Sequence, residues 1–271
     1  MELLNKNIVI TGAASGIGEA LARHFLRLKA NVFLSDRNQK KLGFVAEKLG
    51  CAHHVCDVGK EEDILTLVKQ ANANLGHIDL FCSNAGIFFK DEFISSELDN
   101  QYWTESWHIN VMSHVYAARH VLPQMIQRRS GYFLQIISAA ALLSQIGASA
   151  YSATKSAALS FAESLAISNG LNGIKVSAVC PQYVATPMLG FDDPKASRDF
   201  NNLISPDEAA LQIIDGVLQG KFLIFTDTDA IKFFKRKCKD YDRWIAGMQS
   251  LQKKIIQEPG EINLGHMHKF I

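Results

Sequence analysis

A glycine-rich turn between a strand-like run and a helix-like run limits more than any other feature what this chain can fold into. The run Asn7–Thr11 is short, apolar and β-branched, which is typical of a buried parallel strand. Residues 19–28 carry apolar side chains at helical spacing. Between them, Gly12, Gly16 and Gly18 allow a tight turn and a close approach to a pyrophosphate, whose charge the helix N-terminus stabilises. The pattern predicts a dinucleotide-binding unit, and a plain glycine-rich turn is the less favoured alternative.

The end of the second strand-like run predicts which dinucleotide is bound. Asp36 follows the run Asn31–Ser35 and stands close to the spacing of ~20 residues at which a carboxylate accepts hydrogen bonds from the adenosine ribose. Because a carboxylate repels a 2′-phosphate, this residue favours NAD over NADP. The guanidinium of Arg37, the next residue, can bind such a phosphate, so NADP is the alternative.

A tyrosine and a lysine four residues apart are candidates for acid–base chemistry. On a helix, Tyr151 and Lys155 share one face. A free phenol has a pKa of about 10 and is a poor base at neutral pH. A neighbouring ammonium lowers that pKa, so that the tyrosine can exchange a proton with an alcohol oxygen. Such a pair alone is also common on solvated helix faces, and it gains weight only beside other motifs.

Several further motifs occur in the order and at the spacing of one enzyme family. From about Leu4 to Thr226, the chain resembles the short-chain dehydrogenase/reductase family. Each motif alone is weak, but jointly they are highly specific. The matching motifs are Thr11–Gly18, Asp57-Val58, Asn84-Ala85-Gly86, Asn110, Ser138, Tyr151, Lys155, Pro181 and Thr186-Pro187.

The resemblance implies a role for each matching residue. It implies that Tyr151 is the acid–base group, that Lys155 lowers its pKa and binds the nicotinamide ribose, and that Ser138 hydrogen-bonds the substrate oxygen. The carbonyl of Asn110 is implied to hold a water near the lysine, which completes a proton relay. Tyr151 and Lys155 also belong to the implied cofactor site. Its other members are Gly12, Ser15, Gly16, Ile17, Gly18, Asp36, Arg37, Asp57, Val58, Asn84, Ala85, Gly86, Pro181, Val184 and Thr186.

Alternating strand-like and helical segments predict the fold class. A chain of 271 residues can form a single-domain α/β fold. We expect a doubly wound parallel sheet (Rossmann fold) with helices on both faces and a C-terminal helical extension. Residues 1–228 are predicted to be the dinucleotide-binding and catalytic domain, and residues 229–271 to pack on it or on a neighbouring subunit.

Charge and cysteine content narrow the function classes. The net charge of +1 gives no reason to expect a nucleic-acid partner. The five cysteines lack metal-ligand spacing, so we expect free thiols, no metal and a reducing, cytoplasmic location. No apolar run reaches the ~20 residues of a transmembrane segment, and no signal peptide is expected before the first strand-like run.

Two segments depart from the family pattern. Gln182 follows Pro181 where the family usually has glycine, which alters the expected freedom of the loop. The chain also continues with a basic and apolar segment at 231–238 and an amphipathic stretch at 241–256. We expect this tail to pack on the core; capping the substrate pocket, crossing a subunit interface and lying on a membrane are the alternatives. Its apolar positions are Phe233, Phe234, Trp244, Ile245, Met248, Leu251, Ile255 and Ile256.

Apolar residues near the predicted site favour a hydrophobic secondary alcohol or ketone over a sugar as the substrate. We therefore expect hydride transfer between NAD and such a molecule. The alternatives are an NADP-dependent carbonyl reductase, a noncatalytic dinucleotide-binding redox sensor, and a membrane- or partner-docking module built on the basic tail. The residues expected in the pocket wall are Phe88, Phe89, Phe93, Leu142, Leu143 and Ile146, with a mobile apolar lid over 188–200.

The resemblance also implies a homo-oligomer, either a dimer or a tetramer. In the family, the helix that carries the tyrosine and lysine packs with the preceding long helix against the same pair in a second subunit. Some residues of these helices must face their own sheet. The expected interface residues are Tyr116, Ala117, Ala157, Ala158, Phe161 and Leu165.

Overall fold

A parallel β-sheet between two layers of helices forms the core of the protein. The computed structural model describes residues 2–91, 98–193 and 202–257. Because helices cover both faces of the sheet, β1 and β4 are buried along their whole length, as their apolar sequences predict. The strands of this described part are β1 (Asn7–Thr11), β2 (Asn31–Asp36), β3 (Ala52–Val55), β4 (Leu80–Ser83), β5 (Gly131–Ile136), β6 (Ile174–Cys180) and β7 (Leu223–Phe225).

The strand order opens a crevice at one edge of the sheet. Over the described ranges the order is β3-β2-β1-β4-β5-β6-β7, and neighbouring strands are parallel. The chain reverses its direction of winding between β1 and β4, where Ile8 pairs with Leu80. Such a switch point leaves a crevice outside the carboxyl ends of the strands, where ligands bind in sheets of this kind. The predicted doubly wound α/β fold is confirmed.

The helices enclose two apolar cores, one on each face of the sheet. Phe25 and Val217 belong to the core under α1, α2 and α8, and Val121 and Leu165 belong to the core under α3, α5 and α7. Both faces are thereby closed to water, and the row of strand ends is left accessible. The helices of the described residues are α1 (Gly16–Arg27), α2 (Gln39–Leu49), α3 (Glu61–Leu75), α4 (Asn100–Trp107), α5 (Ser113–Arg128), α6 (Ala140–Leu143), α7 (Ser149–Asn169), α8 (Pro206–Leu218), α9 (Thr228–Lys239) and α10 (Tyr241–Gln257).

The two C-terminal helices pack on the rest of the fold. α9 contacts α6 and β7, and its half-buried Phe233 and Phe234 pack against the core under α7. In α10, Ile255 is fully buried beside Tyr183 and Ala185, which follow β6. The inward face of α10 consists of Trp244, Met248, Leu251 and Ile255.

Two residues of the predicted apolar stripe face solvent instead. Ile245 is 47% exposed and Ile256 is 56% exposed. Each of them directly follows an inward-facing residue, Trp244 or Ile255. Because a helix turns by about 100° per residue, the narrow buried face of α10 leaves Ile245 and Ile256 on its solvent side. The prediction that these two isoleucines pack on the core is wrong.

The predicted interface between subunits also needs correction. Ala117 and Leu165 pack into the core of their own sheet, where they are 0% and 5% exposed, and Ala158 is likewise fully buried within its own subunit. They cannot contact a second subunit. The other predicted interface residues, Tyr116, Ala157 and Phe161, are half-buried.

A buried lysine joins α9 to α6. The Lys237 ammonium donates a hydrogen bond of 2.6 Å to the carbonyl oxygen of Leu142 and lies 5.0 Å from the ring centroid of Tyr241. The side chain is almost completely buried. Leu142 lies at the C-terminal end of α6, where carbonyl groups lack a partner within the helix and where the helix dipole favours a cation. Lys237 thus satisfies a carbonyl group that would otherwise be buried without a donor.

We predict that Lys237→Met lowers the free energy of unfolding by about 1–3 kcal/mol, because it keeps an apolar stem but removes the donor to a buried carbonyl. Urea unfolding followed by circular dichroism measures this change. The control is Lys235→Met, at an exposed position of the same helix, which should stay within about 0.5 kcal/mol of the wild type. Equal stability of the two variants would contradict the prediction.

Candidate active site

The carboxyl ends of the strands line a cavity of about 270 Å³ at the switch point. Two of the residues predicted for the site, Gly18 and Asn110, lie behind this wall. All the others form part of it. They are Gly12, Ser15, Gly16, Ile17, Asp36, Arg37, Asp57, Val58, Asn84, Ala85, Gly86, Ser138, Tyr151, Lys155, Pro181, Val184 and Thr186.

The glycines of the turn between β1 and α1 serve two structural purposes. Gly12 and Gly16 have φ angles of +64° and +56°, in the left-handed region where a side chain is strained. Gly18 lies within α1, and a Cβ atom there would stand 2.6 Å from Nδ2 of Asn84. The first two glycines therefore shape the turn, while Gly18 allows α1 to pack closely on the turn after β4.

Asn84 joins the turns that follow β1 and β4. Its side-chain amide donates hydrogen bonds to the carbonyl oxygens of Thr11 and Gly12, at 2.9 and 3.0 Å. The Thr11 hydroxyl in turn accepts hydrogen bonds from the backbone N–H groups of Asn84 and Ala85, at 3.1 and 3.2 Å. These four bonds fix the two sides of the crevice relative to each other.

Backbone N–H groups hold Asp36 in the wall. Its carboxylate accepts a hydrogen bond of 3.1 Å from Ala14 N–H and one of 2.8 Å from Asn38 N–H. The neighbouring Arg37 is exposed but also lines the cavity. A carboxylate and a guanidinium are thus both available at this end of the cavity, which is the end formed by β2.

Ser138, Tyr151 and Lys155 meet where β5 ends. The Ser138 hydroxyl lies beside the Tyr151 phenol, close enough to lower the pKa of that phenol. The Lys155 ammonium lies 5.6 Å from the Tyr151 ring centroid and donates to the carbonyl oxygen of Ile136 at 3.3 Å. The ring of Phe88 packs edge-on against that of Tyr151, with 5.2 Å between the centroids. This arrangement holds one exchangeable phenol proton in the wall of the cavity, with a second hydroxyl group beside it.

Burial controls the protonation of this cluster in the ligand-free protein. Burial raises the pKa of Tyr151, and the neighbouring Ser138 hydroxyl opposes that rise. Burial also lowers the pKa of Lys155, to about 8. The net shift of the Tyr151 pKa in the ligand-free protein is thus a rise, because the solvation that the phenolate loses on burial is the largest influence. That Lys155 lowers the pKa of Tyr151 stays a prediction. Among the described residues, the Lys155 ammonium donates its hydrogen bond to the carbonyl oxygen of Ile136 and not to the phenol.

Asn110 lies behind the cavity in a π-helical turn, His108–Met112. Its side chain is fully buried. It accepts a hydrogen bond of 2.9 Å from Ile87 N–H, and it donates to the Ile87 carbonyl at 3.0 Å and to the Thr154 hydroxyl at 3.2 Å. π-Helical turns are frequent at functional sites because they interrupt the regular pattern of backbone hydrogen bonds. Asn110 thus ties the loop after β4 to α7, the helix that carries Tyr151.

His114 is a buried polar residue near the cluster that the sequence reasoning missed. It is fully buried one turn after Asn110, and neither of its ring nitrogens has a hydrogen-bond partner among the described residues. Burial and the charge of Lys155 lower the pKa of His114 to about 3. The ring is therefore neutral at physiological pH. The signal that could have found it is its spacing of four residues from Asn110, which places both on one face of a helix.

The wall next to Tyr151 is largely apolar. Phe88, Met188 and Leu189 line it together with Tyr183 and Gln145. The Tyr183 hydroxyl donates a hydrogen bond of 3.3 Å to Oε1 of Gln145. Few polar groups are thus available to a ligand on this side, apart from the Ser138 and Tyr151 hydroxyl groups.

Some of the predicted wall residues lie elsewhere. Phe89 packs against Tyr102, with 4.6 Å between the ring centroids. Leu142 is buried in the core under α7. Leu143 and Ile146 line a second, neighbouring cavity. Phe93 and the lid residues 194–200 lie outside the described residues.

The cavity fits the chemistry of a dinucleotide. Ser15 begins α1 without a side-chain capping bond, and the first N–H groups of a helix suit an anion. Asp36 lies at the carboxyl end of β2, beside this turn, where its carboxylate can accept hydrogen bonds from a ribose. A Cβ atom at Gly86 would stand 3.3 Å from both Oδ1 of Asn110 and Nζ of Lys155. Glycine therefore keeps the space in front of the lysine open.

A family model decides the identification. The model described as short chain dehydrogenase matches residues 6–196. The chain belongs to the short-chain dehydrogenase/reductase family. One relative, the epidermal retinol dehydrogenase 2 of Mus musculus, is 31% identical over 227 residues, which cover 80% of this chain and 72% of the mouse protein.

Two solved structures resemble this protein. A short chain dehydrogenase/reductase from Burkholderia phymatum in complex with NAD has a TM-score of 0.81 and 22% identity, and the likeness covers 89% of this chain and 96% of that one. At this identity the likeness shows the fold. A 3-ketoacyl-(acyl-carrier-protein) reductase from Brucella melitensis complexed with NADH has a TM-score of 0.76 and 26% identity, over 82% and 97% of the two chains.

Within the described residues, the chain has no helix that is both long and apolar enough to cross a membrane. The same residues contain no group of three or more His, Cys, Asp or Glu side chains that could hold a metal ion. The five cysteines are all free thiols.

The lowered pKa of Lys155 predicts how the stability of the protein depends on pH. Between about pH 8 and 10.5 the unfolded chain holds the Lys155 proton and the folded protein does not, so this residue makes stability rise with pH. From pH 7.5 to 9.5, the wild type should gain about 1–2 kcal/mol in unfolding free energy relative to Lys155→Met. Urea unfolding of both proteins measures the difference in their unfolding free energies. Titrations of other groups affect both proteins alike and cancel in that difference. A difference that does not change with pH would contradict the lowered pKa.

Proposed function

We propose that this protein transfers a hydride between NAD(H) and a hydrophobic secondary alcohol or ketone. The observation that carries the proposal is the cluster of Ser138, Tyr151 and Lys155 in the wall of one cavity. Asp36 and the glycine turn line the same cavity. Membership of a dehydrogenase family supports an oxidoreductase, and these residues provide the groups that such a reaction needs.

The proposed proton transfer uses Tyr151 and Ser138. During oxidation, Tyr151 accepts the hydroxyl proton of the alcohol, the hydrogen on the carbinol carbon leaves as hydride, and a C=O bond forms. During reduction, Tyr151 returns the proton to the carbonyl oxygen. Ser138 hydrogen-bonds that oxygen as its charge develops. Because burial raises the pKa of Tyr151, the ligand-free protein holds the phenol protonated, which suits the reduction direction.

Lys155 and Asn110 support the tyrosine in different ways. Below about pH 8, the Lys155 ammonium is charged, and a buried cation stabilises nearby negative charge more strongly than an exposed one. Asn110 acts as a positioning residue, since its side chain fixes Ile87 and Thr154 relative to each other. The cluster therefore combines one proton-transfer group, one oxygen ligand and one cation.

The residues of the glycine turn would hold the cofactor. Gly12, Gly16 and the N-terminus of α1 would bind the pyrophosphate, and Asp36 would bind the adenosine ribose. Asp57 and Val58 would contact the adenine. The wall around Asn84-Ala85-Gly86, Pro181, Val184 and Thr186 would contact the nicotinamide half. When bound, the nicotinamide supplies the hydride acceptor or donor.

NAD is preferred over NADP in this proposal. The carboxylate of Asp36 is fixed by two backbone N–H groups, so it cannot turn away easily from a 2′-phosphate that it would repel. NADP use is the second candidate, and it is favoured by the presence of Arg37 in the same wall. The complexes with NAD and NADH seen for two structural neighbours support the first choice.

The apolar wall supports a hydrophobic substrate. Phe88, Met188 and Leu189 surround the space beside Tyr151, and burial of such side chains by a ligand is favourable at roughly 25 cal/mol per Å². A sugar would leave its hydroxyl groups without partners in this space. The mouse relative is named as a retinol dehydrogenase, and retinol is likewise a hydrophobic alcohol.

Two further proposals concern the state of the protein in the cell. We place it in the cytoplasm, since free thiols are usual in a reducing compartment. We also propose a homo-oligomer, in which Tyr116, Ala157 and Phe161 remain available on the half-buried faces of α5 and α7. Light scattering at micromolar concentration tests the second proposal, and a monomeric mass would exclude it.

We predict that Tyr151→Phe lowers kcat by about 10²–10⁴-fold, because the phenol proton is lost, while NAD affinity stays within a few-fold. Stopped-flow or steady-state absorbance at the NADH band measures turnover, and calorimetry measures NAD binding. Tyr116→Phe, on α5 and outside the cavity wall, is the matched control and should keep normal turnover. Near-normal turnover of the Tyr151 variant would exclude the proposed mechanism.

We predict that Asp36→Ala raises the ratio of kcat/KM for NADP to that for NAD by at least about tenfold, equivalent to about 1.4 kcal/mol. The variant removes the ribose acceptor and the repulsion of a 2′-phosphate, and Arg37 can then pair with that phosphate. Adding Arg37→Ala to this variant should reverse the gain for NADP. A wild type that already prefers NADP would contradict the assignment of Asp36.

A further inference from the structure

A second cavity of about 720 Å³ lies between the catalytic cluster and the C-terminal helices. The loop after α6 forms one side of it, and α9 and α10 form the other. Its volume is in the range of ~300–1,000 Å³ that is typical of small-molecule sites. None of the residues predicted for the cofactor or for proton transfer lines it.

The interior of this second cavity is apolar. Leu143 and Ile146 line it from the α6 side, and Trp244, Met248 and Leu251 line it from α10. The three α10 residues belong to the inward face of that helix, and none of them is exposed. An apolar chain or ring system would therefore bury its surface here with few polar groups left unpaired.

The rim of the cavity is basic. Arg236, Lys239 and Arg243 contribute three cations, and Asp240 is the one acidic residue of the described lining. The Asp240 carboxylate already accepts a hydrogen bond of 2.9 Å from the backbone N–H of Arg243 at the start of α10. No ion pair involves the three cations among the described residues, although the Arg236 guanidinium lies 5.7 Å from the Phe233 ring centroid. The positive charge of the rim is therefore available to bind an anion.

The second cavity adjoins the catalytic one. Ala140, Gln145, Gln182 and Tyr183 line both. Tyr183 and Gln145 are hydrogen-bonded to each other, and they form the boundary between the two spaces. A molecule with its oxygen atom at Ser138 and Tyr151 would have to pass this boundary to reach the basic rim.

We propose that the second cavity binds the remote end of an elongated, amphipathic substrate whose far terminus is a carboxylate or another small anion. This inference rests on the proposed dehydrogenase function. The reacting alcohol or ketone lies at Ser138 and Tyr151, the apolar chain passes Gln145 and Tyr183, and the anion lies at Lys239 and Arg243. The cavity therefore selects for both length and charge.

Binding without turnover tests the site first. Isothermal titration calorimetry with decanoate, which has no hydroxyl group to oxidise, should detect saturable binding to the full-length protein. Gly247 lines the cavity, and a Cβ atom there meets nothing within 4 Å, so Gly247→Phe should fill the space without a backbone clash. We expect this variant to weaken decanoate binding by at least tenfold. Gly43→Phe, at a helical glycine of α2 with equally open surroundings, should bind as the wild type does.

A second set of variants tests the anion site separately. The double variant Lys239→Gln/Arg243→Gln should weaken decanoate binding at least about threefold, as expected for the loss of two exposed charges, and leave the binding of 1-decanol unchanged. Lys235→Gln/Lys253→Gln, on the same two helices but outside the lining, is the control. Equal affinity of the wild type for decanoate and 1-decanol would overturn the anion site.

Turnover measurements distinguish a failure of this inference from a failure of the proposed function. The neutral 2-octanol tests the catalytic cluster alone, whereas 9-hydroxydecanoate and its methyl ester test the second cavity. Gly247→Phe should lower kcat/KM for 9-hydroxydecanoate at least tenfold and for 2-octanol less than twofold. No turnover with any alcohol or ketone, with decanoate binding intact, would overturn the proposed function and keep the anion site. Absent decanoate binding, or equal binding by Gly247→Phe, would overturn the site whatever the turnover of 2-octanol.

Discussion

The hydrogen bonds from the Asn84 amide to the carbonyl oxygens of Thr11 and Gly12 hold together the two turns on which the site is built. They are possible only because glycine occupies the neighbouring positions: a Cβ atom at Gly12 would stand 2.8 Å from the Ala85 Cα atom, and one at Gly18 would meet the Asn84 amide. The crevice between β1 and β4 therefore has a fixed width. The loop after β4 continues from Asn84 to Ile87, whose backbone groups are hydrogen-bonded to the Asn110 side chain. Asn110 also donates to Thr154 of α7, so the position of α7 depends on the Asn84 hydrogen bonds as well.

The proposed catalytic cluster and its surroundings combine groups that burial pushes towards neutrality. Lys155 has its pKa lowered to about 8 and His114 to about 3, and Tyr151 has its pKa raised. Burial therefore disfavours charge on each of these side chains, and the lysine alone stays cationic at neutral pH. A single cation in surroundings of low polarity acts over a longer range than in water. The neutral His114 ring adds no second charge that would repel it. This environment makes the cluster sensitive to any charge that a ligand brings.

The fold and most of the cavity wall could be predicted from the sequence because each prediction depended on local features. Glycines in a turn after an apolar run indicate where the backbone bends, and a carboxylate such as Asp36 at a strand end lies on the edge that all parallel strands share. The rest depends on quantities that only the packed structure determines. The Tyr151 pKa depends on how much water its ring loses, the orientation of Ala117 on how α5 packs, and the exposure of Ile245 on which face α10 presents. His114 was missed because its spacing of four residues from Asn110 places the two on one helix face but does not by itself show that this face is buried.

The two departures of this chain from the family pattern meet at one place. Gln182, which replaces the usual glycine after Pro181, lines both cavities, and the C-terminal extension forms the far side of the second one. Ile255 of that extension is fully buried against Tyr183, the residue after Gln182. The side chain at position 182 and the helix over position 183 thus both shape the wall beside Ser138 and Tyr151. The strand ends build the part of the site proposed for the cofactor, and Gln182 with the C-terminal helices builds the part proposed for the substrate.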